Sequence, residues 1–174
     1  MSRVIRLSES DLTRIVRRIV SEQEQQELVM NIVNSPKLKG LADQALSNLS
    51  ARELVSFKKN LNSVGIDDNT SLSDALNAGQ IAVQQSNEES ELSEDEGEEK
   101  LTFVDRVKMG MSTLGLVNTA LLGGLGSSLI EKVADYANID TSSFAENSIS
   151  FVIGIVLMLV GNTVHDKLKR IYKD

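Results

Sequence analysis

The sequence predicts an all-α fold, and three observations support this prediction. Apolar residues recur at the three- and four-residue spacing of helices and do not alternate over long runs as they do in strands. The 174 residues include only one proline, and aromatic residues make up 3% of the chain with no tryptophan. A conventional large core would therefore lack its bulkiest side chains. Pairs of Ser with Asp or Glu three residues later precede several apolar runs, which is typical of helix starts.

The N-terminal element is predicted to be an amphipathic helix that begins near Glu9, because Ser8 and Asp11 have capping-box spacing. An apolar stripe follows at i, i+3, i+4 and i+7, formed by Leu12, Ile15, Val16 and Ile19. We interpret this stripe as a partner-binding face. Three occupants remain open: the rest of this chain or a sister copy, an anionic membrane surface, and the groove of another protein. Nucleic acid is not expected, because residues 1–22 hold five arginines against three acids and no aromatic residue for stacking.

The peptide IRLSESDLTRIVRRIV resembles the N-terminal peptide, of the form IRLTESDL-x-RIV, that occurs on small proteins of tailed bacteriophages. This resemblance covers about a tenth of the chain. It implies a phage context and packaging into a capsid, and it assigns no activity. Leu7-Ser8-Glu9 also fits the Leu-x-Glu pattern at which phage prohead proteases cut. The resemblance thus implies a processing site between Glu9 and Ser10, recognised through Leu7.

The polar run EQEQQE follows at residues 22–27, either as an exposed stretch of one long helix or as a break between two. Pro36 predicts that the first helical region stops at Ser35. Three short helices are then expected, over Leu38–Leu49, Ala51–Val64 and Leu72–Gln85. Capping boxes at Ser50/Glu53 and Ser71/Asp74 open the last two, and Gly65 ends the middle one. About fifty residues bury little surface, so this bundle would be marginal alone.

Charge is concentrated in one segment. The net charge is −7, yet residues 86–99 alone hold eight acids and no base, so the rest of the chain carries +1. Like charges repel and one leucine supports no core, so we expect residues 86–100 to form a disordered linker. An acidic docking tail and a phosphorylatable spacer, with Ser90 and Ser93 among acids, are the alternatives. The predicted units are an arm (1–36), a bundle (37–85), the linker (86–100) and a C-terminal hairpin with a basic tail (101–174).

The predicted hairpin consists of two uncharged segments, Met109–Ile130 and Asn147–Val164. Twenty-two residues at about 1.5 Å each would cross a hydrocarbon core of about 30 Å. Small residues recur every fourth position in both segments, and this spacing lets helix backbones approach closely in lipid. The predicted helix-packing residues are Ala120, Gly123, Gly124, Ser127, Ser128, Ser150 and Gly154.

Flanking charge favours a membrane location for this hairpin. One basic residue, Lys132, lies in the loop between the two segments, whereas seven closely flank the hairpin on its outer sides: Lys100, Arg106, Lys108, Lys167, Lys169, Arg170 and Lys173. The positive-inside rule then predicts an inner-membrane protein with both termini cytoplasmic. A buried hairpin in a soluble protein and the core of an oligomer are the alternatives.

No catalytic chemistry is predicted. The chain has no cysteine and a single histidine, His165, and it lacks a phosphate-binding loop or a zinc-ligand cluster. Asp67 fails as the start of a calcium loop, because the sixth and twelfth positions are Leu72 and Ala78. We expect no cofactor and no metal.

The leading hypothesis is a non-enzymatic, homo-oligomeric membrane-associated protein that inserts through its hairpin, in the manner of a holin or an ejected internal protein. The alternative is a soluble structural virion protein that assembles through its N-terminal helix and glycine-rich hairpin. An adaptor that uses its acidic linker to bind a basic partner is the third hypothesis.

Overall fold

The computed structural model describes residues 9–67, 70–91, 101–116, 123–142 and 145–173, with only the backbone described for residues 9–16, 18, 19 and 89–91. The described residues form seven α-helices and no strand, which confirms the all-α class. In chain order the helices are α1 (Glu9–Asn34), α2 (Pro36–Ala45), α3 (Ala51–Ser63), α4 (Leu72–Glu91), α5 (Phe103–Thr113), α6 (Gly124–Tyr136) and α7 (Glu146–Ile171).

The predicted end of the first helix, just before Pro36, is confirmed. Helix α1 begins at Glu9 and ends at Asn34, and Pro36 occupies the first turn of α2. Proline is favoured there because its missing N–H would have no partner in the first turn. The polar run at residues 22–27 lies within α1, so it is an exposed stretch of one helix and not a break.

Helix α3 shows how the sequence places helix ends in this protein. The Ser50 hydroxyl accepts a hydrogen bond from the Glu53 backbone N–H, and the Glu53 carboxylate accepts one from the Ser50 N–H, so the predicted capping box is present. At the other end Gly65 adopts a φ of 84° and the Ile66 N–H donates to the Leu61 carbonyl at 2.9 Å. This Schellman motif buries Ile66 in the core.

The same motif ends α5 and corrects the prediction of one helix over Met109–Ile130. Helix α5 stops at Thr113, Gly115 has a φ of 69°, and the Leu116 N–H donates to the Met111 carbonyl at 3.3 Å. Leu116 is then buried in the core, as Ile66 is. The next described helix, α6, begins only at Gly124. Glycine permits the left-handed turn, and the buried leucine holds it.

Helix α7 forms the centre of the molecule. It packs against each of the other six described helices. Every residue from Val152 to Leu157 is buried, as are most of its flanking apolar residues. Its 26 residues span about 39 Å at 1.5 Å per residue. The predicted second apolar segment is therefore the N-terminal two-thirds of a longer helix that is enclosed on nearly all sides.

The predicted bundle and hairpin share one hydrophobic core. This core runs from Val29 in α1 to Leu168 in α7 and includes buried residues of every described helix. Helices α2, α3 and α4 bury their apolar faces on α7, which lies at the other end of the sequence. The separation into units 37–85 and 101–174 does not correspond to separate cores, because neither group of helices covers its apolar face alone.

The predicted linker begins too early. Helix α4 continues through Glu91, six residues beyond the expected end at Gln85. Ser86 is buried and its hydroxyl donates to the Val83 carbonyl, while the Asn87 amide donates to the Glu146 carboxylate of α7 at 2.9 Å. These contacts extend α4 into the acidic segment. The rest of that segment, residues 92–100, lies outside the described residues.

Acidic side chains that cap helices give the fold a predictable acid sensitivity. Hydrogen bonds from the hydroxyl and backbone N–H of Thr102 lower the pKa of Asp105 below its usual 3.8, and the Ser50 bonds lower the pKa of Glu53 below 4.5. A carboxyl group whose pKa is lower in the folded state stabilises the fold above its usual pKa, and this contribution is lost as the pH falls through the folded-state pKa.

We therefore expect the melting temperature to fall as the pH is lowered below about 4.5, as the two capping carboxylates become protonated. The combined variant Glu53→Gln and Asp105→Asn should melt lower than the parent at neutral pH and show a smaller decrease on acidification. Thermal unfolding followed by circular dichroism between neutral pH and pH about 3 measures both. Equal acid sensitivity in the two proteins would show that other carboxylates dominate.

Candidate helix-packing site and assembly surface

The closest helix contact lies between α4 and α7. A Cβ atom added to Gly79 would lie 2.1 Å from the Ser150 carbonyl oxygen, and one added to Gly154 would lie 2.8 Å from the Ala75 carbonyl oxygen. Each glycine thus faces the backbone of the other helix. No larger residue fits either position without moving a helix, because these neighbours are backbone atoms.

Small residues on both helices make this approach possible. Helix α4 presents buried small residues at the i, i+3, i+4, i+7 spacing of one helix face. Helix α7 contributes Ser150 and Gly154 one turn apart. The Ser150 hydroxyl donates to the Glu146 carbonyl of its own helix at 2.7 Å, so its burial leaves no unsatisfied donor. The α4 residues are Ala75, Ala78, Gly79 and Ala82.

Helix α5 packs against both α4 and α7 at this contact. A Cβ atom on Gly110 would lie 2.7 Å from the Ile153 side chain of α7 and 3.5 Å from the Ala82 side chain of α4. The Thr113 hydroxyl also approaches the Ala82 carbonyl oxygen at 3.3 Å. The three helices therefore meet through alanine and glycine, and larger apolar side chains such as Ile153 fill the space around them.

The predicted packing residues divide between this contact and the start of α6. Ser150 and Gly154 lie in the contact, but their partner is α4 of the same chain. Gly123 precedes the first residue of α6, Gly124 has open space where a Cβ would be, and Ser128 is half-buried. The Ser127 hydroxyl accepts a hydrogen bond from the Lys108 ammonium at 2.5 Å. Ala120 lies outside the described residues.

Sequence reasoning missed Gly79 as the partner of Gly154. The pattern that could have revealed it is the regular row of small residues in α4. That helix was assigned to a separate bundle, so its small face was not paired with the similar face in the C-terminal segment. The spacing identifies a close helix contact but not which two helices form it.

Polar side chains join α7 to its neighbours at the rim of the core. The Lys58 ammonium of α3 lies 3.2 Å from Nδ1 of His165. Lys167 forms an ion pair with Asp43 of α2 at 3.1 Å. Both bonds lie in the C-terminal half of α7, where its surface reaches the edge of the molecule. His165 therefore contributes a cross-helix contact.

Helix α1 provides the second candidate surface. Near its C-terminal end Val29, Ile32 and Val33 are buried against the rest of the molecule. By contrast, every residue from 20 to 27 is exposed, so this stretch of two turns buries no side chain against the body. Two apolar side chains of α1 are also exposed, Val20 at 46% and Met30 at 53%.

The predicted partner-binding face lies beyond this exposed stretch. Leu12, Ile15, Val16 and Ile19 belong to α1, and their side chains are outside the described part of the structure. For the predicted processing site, Leu7 lies outside the described residues. Glu9 and Ser10 are the first two residues of α1.

The described surface offers no arrangement typical of a metal site. A shallow cleft between the start of α5 and α6 is lined by three carboxylates, of Asp105, Glu131 and Asp135. Asp105 caps its own helix and Asp135 pairs with Lys132 at 3.0 Å. Within the described residues, no group of three or more His, Asp or Glu side chains is placed to hold a metal ion.

Helix α7 is the one helix in the described part of the chain that is long and apolar enough to cross a membrane, and 67% of its apolar 18-residue window is buried within the protein. Comparison of the chain with protein-family models, with curated proteins and with solved structures finds no match.

Proposed function

We propose that this protein is a non-enzymatic assembly protein, with a folded body that encloses α7 and a projecting α1 that binds a partner. The body consists of α2–α7 and the C-terminal end of α1. The observation that carries the proposal is the contrast between these parts. Helix α7 is covered by six helices, whereas every residue from 20 to 27 of α1 is exposed.

Burial within the body accounts for the apolar character of α7 without lipid. Apolar surface gains the same kind of stabilisation when it leaves water for a protein core as when it leaves water for a bilayer. Residues such as Ile153, Val156 and Leu157 are completely buried. A lipid-exposed span would instead require α2–α5 to withdraw from α7 and leave their own apolar faces in water.

The N-terminal peptide suggests the setting in which this assembly takes place. Its similarity to the leader-like segment of tailed-phage proteins supports a structural or internal component of a phage particle. A helical body that carries an extended helix suits such a role, because the body can be packaged while the helix makes the specific contact. Removal of the peptide at Glu9–Ser10 would leave most of α1 in place.

A membrane-inserted form is the second candidate, and the length and composition of α7 favour it. Its 26 residues exceed the roughly 20 needed for a span. Lys169 and Arg170 lie in its last turn, where cations suit both the helix dipole and a cytoplasmic membrane surface. In this case the folded body is the water-soluble form, and insertion requires α7 to separate from α4.

Detergent-free purification followed by vesicle flotation distinguishes the two candidates. We expect the full chain to stay in solution without detergent and to remain at the bottom of a gradient with anionic phospholipid vesicles. The reason is that the apolar face of α7 is already covered. In cells that produce the protein, alkaline carbonate should release it from the membrane fraction.

Two results would contradict the proposed assembly function and favour the membrane candidate. One is a requirement for detergent throughout purification. The other is retention of the full-length protein in carbonate-washed membranes. Stoichiometric copies in purified particles that lack lipid would support the structural role.

A further inference from the structure

We propose that α1 pairs with α1 of a second copy as a parallel, in-register coiled coil. This inference rests on the proposed assembly function and identifies the partner of the projecting helix. It combines the spacing of residues along α1 with the exposure of the residues in its C-terminal half.

Helix α1 carries two lines of residues on different sides of the helix. The body-facing residues are Val29, Ile32 and Val33, all buried. A second line of residues advances by alternate steps of four and three, which is the a/d spacing of a heptad repeat. At 3.6 residues per turn the centres of the two faces lie roughly 100° apart. The second line, here named the α1 seam, consists of Leu12, Val16, Ile19, Gln23, Gln26 and Met30.

The described end of the α1 seam is open to solvent. Gln23 and Gln26 are exposed, and Met30 is 53% exposed although its neighbour Val29 is completely buried. The seam is therefore not a continuation of the body-facing surface. It lies to one side of the body, so a second helix can lie along it without displacing α2 or α7. Exposed Val20 borders the seam and would widen its apolar area.

The two glutamines favour a second copy over a membrane or an apolar groove. An amide side chain has both a donor and an acceptor, so Gln23 can pair with Gln23 of an identical helix, and Gln26 likewise. Lipid would leave these groups without partners at the middle of the face. Polar residues at seam positions are known to specify register in coiled coils.

Matching of residue types also selects the parallel arrangement. In register, leucine meets leucine, glutamine meets glutamine and Met30 meets Met30. An antiparallel pair centred on Ser21 would place Gln23 against Ile19 and Gln26 against Val16, which separates the amides from each other. Glu22 and Glu27 flank the seam and repel across a parallel pair. The pairing should therefore strengthen when Glu27 is replaced by lysine, since Glu22 then meets a cation.

The molar mass of the intact chain over a range of concentrations, measured by light scattering after gel filtration, tests the pairing. We expect a dimer for the parent and a monomer, with half the mass, for Ile19→Asp. The matched control is Ser21→Asp, which adds the same charge two residues away on the opposite side of the helix. It should remain dimeric. The described contacts of the body do not involve Ser21, so its melting temperature should equal that of the parent.

Single cysteines test the register, because the natural chain has none. Gln26→Cys should form an interchain disulfide under mild oxidation, and Ser21→Cys should not, since its side chain points away from the partner. A monomeric parent at all concentrations overturns the inference, as does an unchanged dimer in Ile19→Asp. A disulfide formed only between mixed Ile19→Cys and Gln23→Cys chains overturns the parallel register. A monomer that needs no detergent would refute the pairing alone, whereas a detergent requirement would refute the proposed function.

Discussion

Replacing Gly79 with alanine is expected to destabilise the protein more than any other single methyl addition at a described glycine. The added Cβ would lie 2.1 Å from the Ser150 carbonyl oxygen, so α4 and α7 must move apart along their closest contact. Overpacking of a rigid core costs about 1–3 kcal/mol and sometimes more, and a backbone neighbour places this case at the upper end. In a domain of this size each kcal/mol lowers the melting temperature by roughly 2–4 °C, so a decrease of roughly 6–12 °C is expected.

Gly40→Ala is the matched control for this variant. Gly40 lies within helix α2, and no atom comes within 4 Å of the position that its Cβ would occupy. Alanine should therefore stabilise that helix by up to about 1 kcal/mol. Urea and thermal unfolding of the two variants and the parent give the comparison. A Gly79→Ala protein as stable as the parent would show that α4 and α7 do not approach as closely as described.

A chain that ends at Lys100 is expected not to fold cooperatively. It retains α1–α4 but loses α5–α7. Helices α3 and α4 bury their apolar faces on α7, and α2 buries its face on α6 and α7. Fully buried residues such as Leu38, Leu46 and Leu61 would then face water. At about 1.5–3 kcal/mol for each large apolar side chain, the lost burial exceeds the whole stability of a small domain.

Circular dichroism and urea unfolding of the shortened chain measure this effect. We expect reduced helix content and a broad transition without a clear midpoint. The complementary control is a chain that begins at Val20, which removes the projecting end of α1 and keeps the described body contacts. It should unfold as sharply as the parent. A cooperative transition in residues 1–100 would instead establish an independent N-terminal bundle.

Helix boundaries were accurately predicted where a local motif determines them. Each of these motifs involves residues that are close in sequence, so it can be recognised from the sequence alone. The examples are the Ser50/Glu53 capping box, the helix end at Gly65 and the helix break before Pro36. The missed break after Thr113 follows the same rules. Thr102 and Asp105 form a capping box, and Gly115-Leu116 repeats the Gly65-Ile66 ending. The break was missed because the uncharged segment Met109–Ile130 is long enough to be interpreted as one membrane span.

Whether the apolar segments lie in a protein core or in a membrane could not be predicted from the sequence. Hydrophobicity and length describe a core helix and a membrane span equally well, because both environments exclude water from the same side chains. The charge asymmetry around the predicted hairpin also depended on a first span that the structure divides into α5 and α6. Lys132, taken as the lone base of an external loop, lies on α6 and pairs with Asp135.

The helical class, the central apolar helix, the C-terminal end of α1 and both ends of α3 follow from the sequence, since these depend on residues within a turn or two of each other. The sequence also determined that Ser150 and Gly154 suit a close helix contact. Only the tertiary structure decided that α4 supplies the other side of that contact and that α7 is enclosed by both halves of the chain. Pairing of distant helices depends on the complementary shapes of two surfaces, and spacing along one helix specifies only one of them.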